Sequence, residues 1–397
     1  MILIFLALVS GAFFGVFLSE FTTFLPQLSE VSKIIIQLIK AIAVPLLFFA
    51  IVNAVSQTLV TWRQAVRLFL VSGLNATVAL AIGLGLSHLV QPGRFLRELW
   101  SQSGATGGSA APPVLPEWGF WKTLSSWIPT SVVQPFYENA VIPVVVLALV
   151  FGLALKHEDE SSPIREVLTA LQRLVERMLF SVTRWIPLAV FASVAASVAK
   201  SGFRPFLGLF PYLGVAILGL TLHIAVTYQS WIVFFARISL RRFWREAREP
   251  IVQSFATNSS LATLPFTLRA LDRLGVSRRA SALGACVGTN LNNDGIVLYE
   301  GMAFLFVAQA MGLDLSWSQQ VAAAGLCLVT AMGIAGVPEA GFVSLALVLS
   351  TVGISTENLG LLLSVDWILG RARSITNVLS DMVVSIAVDD PRLDDRS

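Results

Sequence analysis

The sequence predicts an all-α polytopic membrane protein, on three observations. Its 397 residues are 55% hydrophobic and only 13% charged, with a mean hydropathy of +0.77. A soluble domain carries about 25% charged residues, so this chain has roughly half the charge needed to cover a surface facing water. Second, long apolar stretches recur along the chain, roughly over 1–19, 34–54, 67–90, 131–155, 179–199, 206–235, 280–311, 319–351 and 358–388. Third, these stretches are continuous, whereas a barrel strand alternates; helices are then the remaining way to satisfy backbone polar groups in lipid. A soluble enzyme, a nucleic-acid binder and a disordered chain are excluded. The net charge of +3 implies no anionic polymer partner.

The first stretch starts at Met1 without a basic region or a small-residue cleavage site, so it reads as a retained span. Lys and Arg set the orientation. One set of connections holds Arg63 and Arg67, then Lys156 and Arg165, then Arg237 to Arg248, then Arg269 to Arg279. The intervening set holds Arg94, Arg97, Lys122, Lys200 and Arg204. The first set is expected to be cytoplasmic, with both termini inside and the Gly/Ser/Pro/Trp-rich loop of about 91–130 outside. Cys286 and Cys327 lie in apolar runs with no disulfide or zinc spacing. The histidines, His88, His157 and His223, are scattered, and the KHEDE stretch around His157 reads as a solvated loop in preference to a metal cluster.

Two segments break the pattern. SFATNSSLATLP (254–265) is short and polar, with basic flanks of the same sidedness, and AMGIAGVPEAG (331–341) interrupts an apolar run. Paired interruptions point to an inverted-repeat transporter with its site near the midplane; ordinary kinked helices are the alternative. Polar groups inside apolar helices are expensive and mark function. Asp366, Arg373, Asn377 and Asp381 are spaced to share one helical face, with Gly370 leaving a gap in it and Arg371 pointing elsewhere. Arg373 suits a carboxylate, either from a substrate or from Asp366 or Asp381 in an internal salt bridge. In GTNLNNDGIVLYEG, the run Asn292, Asn293, Asp294, Gly295 favours local unwinding. Exposed carbonyls with an Asp carboxylate suit a small desolvated cation. Glu300 has two readings, a proton carrier or a hydrogen-bonded core Glu.

These motifs together resemble the dicarboxylate/amino acid:cation symporters, the glutamate transporter family. SFATNSSLATLP is similar to its serine-rich first hairpin, NNDG stands at its Asn-Met-Asp-Gly-Thr motif, AGVPEAG resembles its second hairpin tip, and VDWILGRARSITNVLSD its last helix. LIKAIAVPLLFF and IPTSVVQPFYENAV resemble its second and fourth helices. The resemblance implies eight transmembrane helices plus two re-entrant hairpins (roughly 250–270 and 319–350), in a homotrimer of the cell membrane working by an elevator motion. The trimerisation scaffold would comprise roughly 1–66 and 131–200, and the transport domain roughly 67–90 and 205–390.

By the same resemblance, Ser259, Ser260, the backbone around Gly336 and Val337, Ser374 and Asn377 would contact substrate. Arg373 would bind the distal carboxylate, and Gly370 stands where amino-acid carriers have an Asp for the ammonium. Sodium, the coupling ion, would sit at Asp381 with the carbonyls of Gly288, Asn292 and Asn377. A deeper site would use Asp294 and Asn292, and another the carbonyls of Ala331 to Ile334. Ser72, Asn75 and Ala76 stand where a Tyr and a Thr-Ser pair complete the deepest site. Asn293 and Ile296 also depart from the motif, and Glu339 has no assigned role. The expected function is cation-coupled uptake of an anionic dicarboxylate, with succinate, fumarate or malate favoured over glutamate or aspartate. Beyond substrate, coupling ion and lipid, no cofactor, metal enzyme chemistry or nucleic-acid partner is expected. An anion channel would need rings of like charge, and an intramembrane hydrolase a Ser/His or HExxH arrangement; neither pattern is present.

Overall fold

The computed structural model describes residues 2–18, 25–56, 62–102, 125, 128–138, 140–155, 162–236, 238–332, 340–352, 354 and 359–389. Every regular element among these is helical. The His157 stretch, the hairpin-tip residues Gly336, Val337 and Glu339, and most of the loop between 103 and 124 lie outside the described residues, as does the tail from 390.

Helices α1 (Ile2–Leu18), α2 (Leu25–Ser56) and α3 (Trp62–Val90) are followed by a short amphipathic helix, α4 (Pro92–Gln102). Next come α5 (Val141–Leu155), α6 (Pro163–Thr183), α7 (Ile186–Ser201) and α8 (Leu209–Phe235). The apolar run expected from 131 forms only a turn at Gln134–Tyr137 before α5 begins. The run expected from 179 extends back to Pro163, because the charged stretch before it folds as an amphipathic helix with Ile164, Val167, Leu171 and Leu174 exposed. Among the described residues, five helical segments are long and apolar enough to cross a membrane: Glu30–Asn53, Val66–Val90, Pro163–Ala199, Leu209–Phe235 and Asp294–Met311. Outward-facing Phe13, Phe17, Phe210 and Phe234 suit lipid.

Both interrupted segments divide into paired helices. α9 (Leu240–Thr257) ends at Asn258, whose left-handed backbone (φ 52°) reverses the chain into α10 (Ser260–Leu274). The arms run antiparallel. Arg273 bonds Glu246 at 2.7 Å and Glu249 at 3.0 Å, and Arg269 bonds Glu249 at 3.1 Å. These ion pairs lie at the exposed open end, while the Asn258–Ser259 tip is buried. The second pair is α12 (Trp317–Met332) and α13 (Ala340–Thr351), which pack on each other and on the helix before them.

Between the pairs, the long run expected over 280–311 is broken. A helical turn at Arg278–Ser281 loosens into a π-turn (Ala282–Val287) and tightens at Gly288–Asn290 before α11 (Asp294–Met311) starts. Nearly every residue of α11 is buried, as its all-round apolarity requires. The last helix, α14 (Leu359–Val388), packs on α9, α10, α11 and the broken stretch. Elsewhere α1, α2, α5, α6 and α7 pack chiefly on one another, while α3, α8 and α9–α14 form a second set of contacts.

α1 meets α7 through a GAFFG step. A Cβ on Gly11 would lie 2.7 Å from the Phe191 carbonyl oxygen, and one on Gly15 2.7 Å from that of Ala195. Small residues let the two backbones approach where lipid supplies no hydrophobic drive. Gly15→Leu should therefore lower stability by about 1–3 kcal/mol, read as a drop in melting temperature in detergent. Gly73→Leu, where a Cβ meets nothing within 4 Å, should leave it unchanged; equal effects of the two would refute this packing.

Candidate substrate and cation site

The site is built on α14, whose Asp366, Arg373, Asn377 and Asp381 are all buried on one face. Arg373 donates to both carboxylate oxygens of Asp366, at 2.6 Å and 3.1 Å. The internal salt bridge offered by the sequence therefore forms, with Asp366 and not with Asp381. The guanidinium lies over the Tyr299 ring, 3.9 Å from its centroid. It also lies against the start of α13, where a Cβ on Gly341 would be 2.9 Å from Cζ. Asp366 accepts from two of the five N–H donors of this group. Arg371 leaves the stripe as expected, donating to the Trp367 carbonyl.

Asn377 joins α14 to the unwound segment. Its Oδ1 accepts from the Gly295 N–H at 2.9 Å, and its Nδ2 donates to Asn293 Oδ1 at 3.1 Å. Asn293 Nδ2 in turn donates to the Ala331 carbonyl at 2.8 Å, so that carbonyl already serves the end of α12. The expected unwinding is present one step earlier than the sequence places it. Asp294 and Gly295 open α11, and the break falls over Gly288–Asn293. An acidic residue in a first helical turn faces the positive end of the helix dipole. Close approach fixes Gly295, where a Cβ would be 2.7 Å from the Arg373 carbonyl oxygen.

Two carboxylates sit beside this break. Asp381 Oδ1 accepts from Asn292 Nδ2 at 3.1 Å, the same amide that donates to the Gly284 carbonyl. Ser72 of α3 donates to Asn292 Oδ1 at 2.5 Å, whereas Asn75 accepts from Trp231 of α8 at 2.6 Å. The Gly288 carbonyl accepts from the Leu291 and Asn292 N–H groups. Asp294 Oδ2 accepts from Ser380 at 2.6 Å and Tyr228 at 2.9 Å, with His223 Nε2 at 3.5 Å. Its Oδ1 is buried with no hydrogen-bond partner among the described residues. No Lys or Arg among those residues pairs with Asp294 or Asp381. Glu300 accepts from Thr330 at 3.1 Å, away from both.

The hairpin tip reaches the same helix. Ser259 caps α10, accepting from the Ala262 N–H at 3.2 Å, and Ser260 accepts from Thr289 at 3.3 Å. A Cβ on Gly370 would lie 3.0 Å from Asn258 Nδ2, which ties the tip to α14. Ser374 is buried on the same helix, its Oγ without a hydrogen-bond partner among the described residues. Thus Ser259, Ser260, Gly370, Arg373 and Asn377 on one side, and Asn292, Asp294 and Asp381 on the other, converge on α14; Glu300 stands apart. Sequence reasoning set His223 aside as scattered and overlooked Tyr228, Tyr299 and Asn258. A signal for His223 existed, since a histidine inside an apolar run is itself costly; it also borders a π-turn at Ile224–Tyr228.

A profile of the sodium:dicarboxylate symporter family matches residues 1–390. The chain belongs to that family. It is 29% identical to C4-dicarboxylate transport protein 3 of Ralstonia nicotianae over 373 residues, covering 91% of this chain and 82% of that protein. It is 30% identical to the C4-dicarboxylate transport protein of Anaeromyxobacter sp. (strain K) over 364 residues, covering 89% and 81%. The corresponding Rhizobium johnstonii protein is 28% identical over 389 residues, covering 96% and 86%. Family membership and the apolar helices make this a multi-pass membrane protein.

Asn377, with Asp381, holds the unwound segment of this symporter-family chain to α14. Asn377→Ala leaves the Gly295 N–H buried without its acceptor, a loss of about 1–3 kcal/mol. Thermal unfolding in detergent should register it. An unchanged melting temperature would show that the segment is held by other contacts.

Proposed function

We propose that this chain is a secondary symporter that couples inward sodium movement to uptake of a C4-dicarboxylate such as succinate, fumarate or malate. The observation that carries this reading is the distribution of buried charge. Among the described residues, four carboxylates, Asp294, Glu300, Asp366 and Asp381, are buried together with two guanidiniums, Arg371 and Arg373, and one imidazole, His223. Asp366 pairs with Arg373, which leaves Asp381 without a Lys, Arg or His partner, and Asp294 with His223 alone at 3.5 Å, among the described residues. An ionised carboxylate in such surroundings needs a cation. The donors beside them are carboxylate and amide oxygens, the ligand chemistry of a small hard cation. In this reading Asp381, Asn292, Asn377 and Gly288 hold one sodium ion and Asp294 another, with proton coupling through Glu300 a further expectation.

The substrate end is read from the tip of the first hairpin. The N-terminus of α10, where Ser259 caps the Ala262 N–H, presents the positive end of the helix dipole, which favours an anion. In this reading Ser259, Ser260, Ser374 and Asn377 would contact the substrate between that tip and Arg373, together with the backbone around Gly336 and Val337, as the family resemblance implies. Arg373 would hold the distal carboxylate, as the family resemblance implies. The names of the relatives, all C4-dicarboxylate transport proteins, agree with a substrate of two carboxylates and four carbons.

A division into a fixed scaffold (α1, α2, α5–α7) and a moving unit (α3, α8–α14) is supported by the two sets of packing contacts. With it go the homotrimer, the elevator motion and cytoplasmic termini that the family resemblance implies.

Uptake of labelled succinate into proteoliposomes tests the proposal, with sodium, proton and potassium gradients imposed one at a time. Accumulation driven by sodium is expected; equilibration without any gradient dependence would mark a channel. In Arg373→Ala, losing one partner of a buried pair costs about 2–5 kcal/mol, so uptake at low substrate should fall roughly thirtyfold or more. Retained uptake would leave Arg373 with a structural role only. Asp381→Asn should fold and require more sodium for half-maximal uptake; unchanged sodium dependence would remove Asp381 from the cation site.

A further inference from the structure

Asn258 and Gly370 meet at the junction of the first hairpin and α14. Asn258 closes α9 in the left-handed region, φ 52° and ψ 36°, and its N–H donates to the Ser254 carbonyl at 2.8 Å. Few residues besides Gly, Asn and Asp take this conformation cheaply. The turn delivers the Asn258 carboxamide to the bare backbone of Gly370. A Cβ on Gly370 would lie 3.0 Å from Asn258 Nδ2, 3.1 Å from Oδ1 and 3.4 Å from Arg373 Nη2. The carboxamide and the guanidinium therefore border the same place, and a side chain at position 370 would press on the carboxamide, which would have to give by a few tenths of an ångström. Both residues are buried.

We propose that Asn258 is a specificity-determining residue: its carboxamide, which borders the bare backbone of Gly370 beside Arg373, presents a neutral hydrogen-bonding group to the second carbon of the substrate. The inference rests on the dicarboxylate-transport reading and deepens it. An amide offers a donor and an acceptor to a hydroxyl or carbonyl, and it tolerates a plain methylene. It supplies no counter-charge to an ammonium, which on entering a dry site would lose its water uncompensated. The preference against amino substrates thus belongs to a pair of residues on different elements, and a carboxylate introduced at position 370 would press on the Asn258 amide.

The test is competition of succinate, malate and aspartate against labelled succinate uptake in proteoliposomes. Asn258→Asp keeps the shape and the left-handed backbone while placing a carboxylate where the amide stood. It should raise the potency of aspartate relative to succinate by about tenfold or more, the effect of roughly one charged hydrogen bond. Asn258→Gly keeps the turn but removes the amide, and should reduce the preference for malate over succinate about three- to tenfold. Gly370→Asp should lose uptake and melt at lower temperature, with both restored in the Asn258→Gly background. An unchanged order of potency in Asn258→Asp, or Gly370→Asp equally tolerated in both backgrounds, would overturn the assignment. Should Asn258→Asp take up nothing, ligand-induced thermal stabilisation in detergent replaces uptake, and a folded variant that aspartate stabilises no better than succinate counts against it. Failure of the wild-type chain to take up any dicarboxylate would instead remove the transport reading. The melting-temperature rescue of Gly370→Asp by Asn258→Gly still reports on the pair in that case.

Discussion

The interior of this protein is governed by the cost of burying ionised groups away from water. Asp294, Glu300, Asp366 and Asp381 share that interior with Arg371 and Arg373, and each unpaired charge costs several kcal/mol even after relaxation. One pair, Asp366 and Arg373, closes on itself along a single helix, and the Tyr299 ring supports the guanidinium from the neighbouring helix. Asp294 and Asp381 have no such partner among the described residues. The surrounding polar atoms are arranged to serve these two carboxylates, which explains why hydroxyls of Tyr228 and Ser380 and the amide of Asn292 point inward from different helices.

Breaking a helix inside a membrane protein frees backbone groups that lipid cannot satisfy. Here backbone groups on either side of the break at Gly288–Asn293, and at the end of α12, are taken up by side-chain amides. Asn377 serves the Gly295 N–H, Asn292 the Gly284 carbonyl and Asn293 the Ala331 carbonyl. Amides suit the task because each offers donors and acceptors without adding charge to an interior already rich in carboxylates. The consequence is rigidity. The break, the end of α12 and the middle of α14 are joined by one chain of hydrogen bonds, so the candidate cation ligands hold fixed relative positions.

The first hairpin shows the opposite allocation of charge. Its Glu–Arg ion pairs lie at the exposed end, where each contributes little, while its tip is buried and bears only neutral polar groups, Asn258, Ser259 and Ser260. A neutral tip carries little desolvation penalty when it docks on α14, and it meets that helix where Gly370 leaves room.

Much of the fold and part of the site were legible in the sequence, because both rest on local periodicity. Continuous apolar stretches of membrane length give helices, and the spacing of Asp366, Arg373, Asn377 and Asp381 puts them on one face wherever the helix docks. Consecutive Asn residues with Asp and Gly mark a helix break, although its position moved to Gly288–Asn293 because Asp294 is favoured in a first turn. Other features joined residues too distant in the chain for any period to connect. Asp294 meets His223 across 71 positions and Ser380 across 86, and the Asn258 amide reaches Gly370 only through a left-handed turn and the docking of a hairpin on α14. Sequence alone also left open whether Arg373 pairs with Asp366 or Asp381, since both lie on its face; the packing of Tyr299 and Gly341 around the guanidinium decided for Asp366. Local pattern determined which groups are forced into the interior; tertiary packing decided which of them neutralise one another, because that depends on distances of a few ångströms between separate helices.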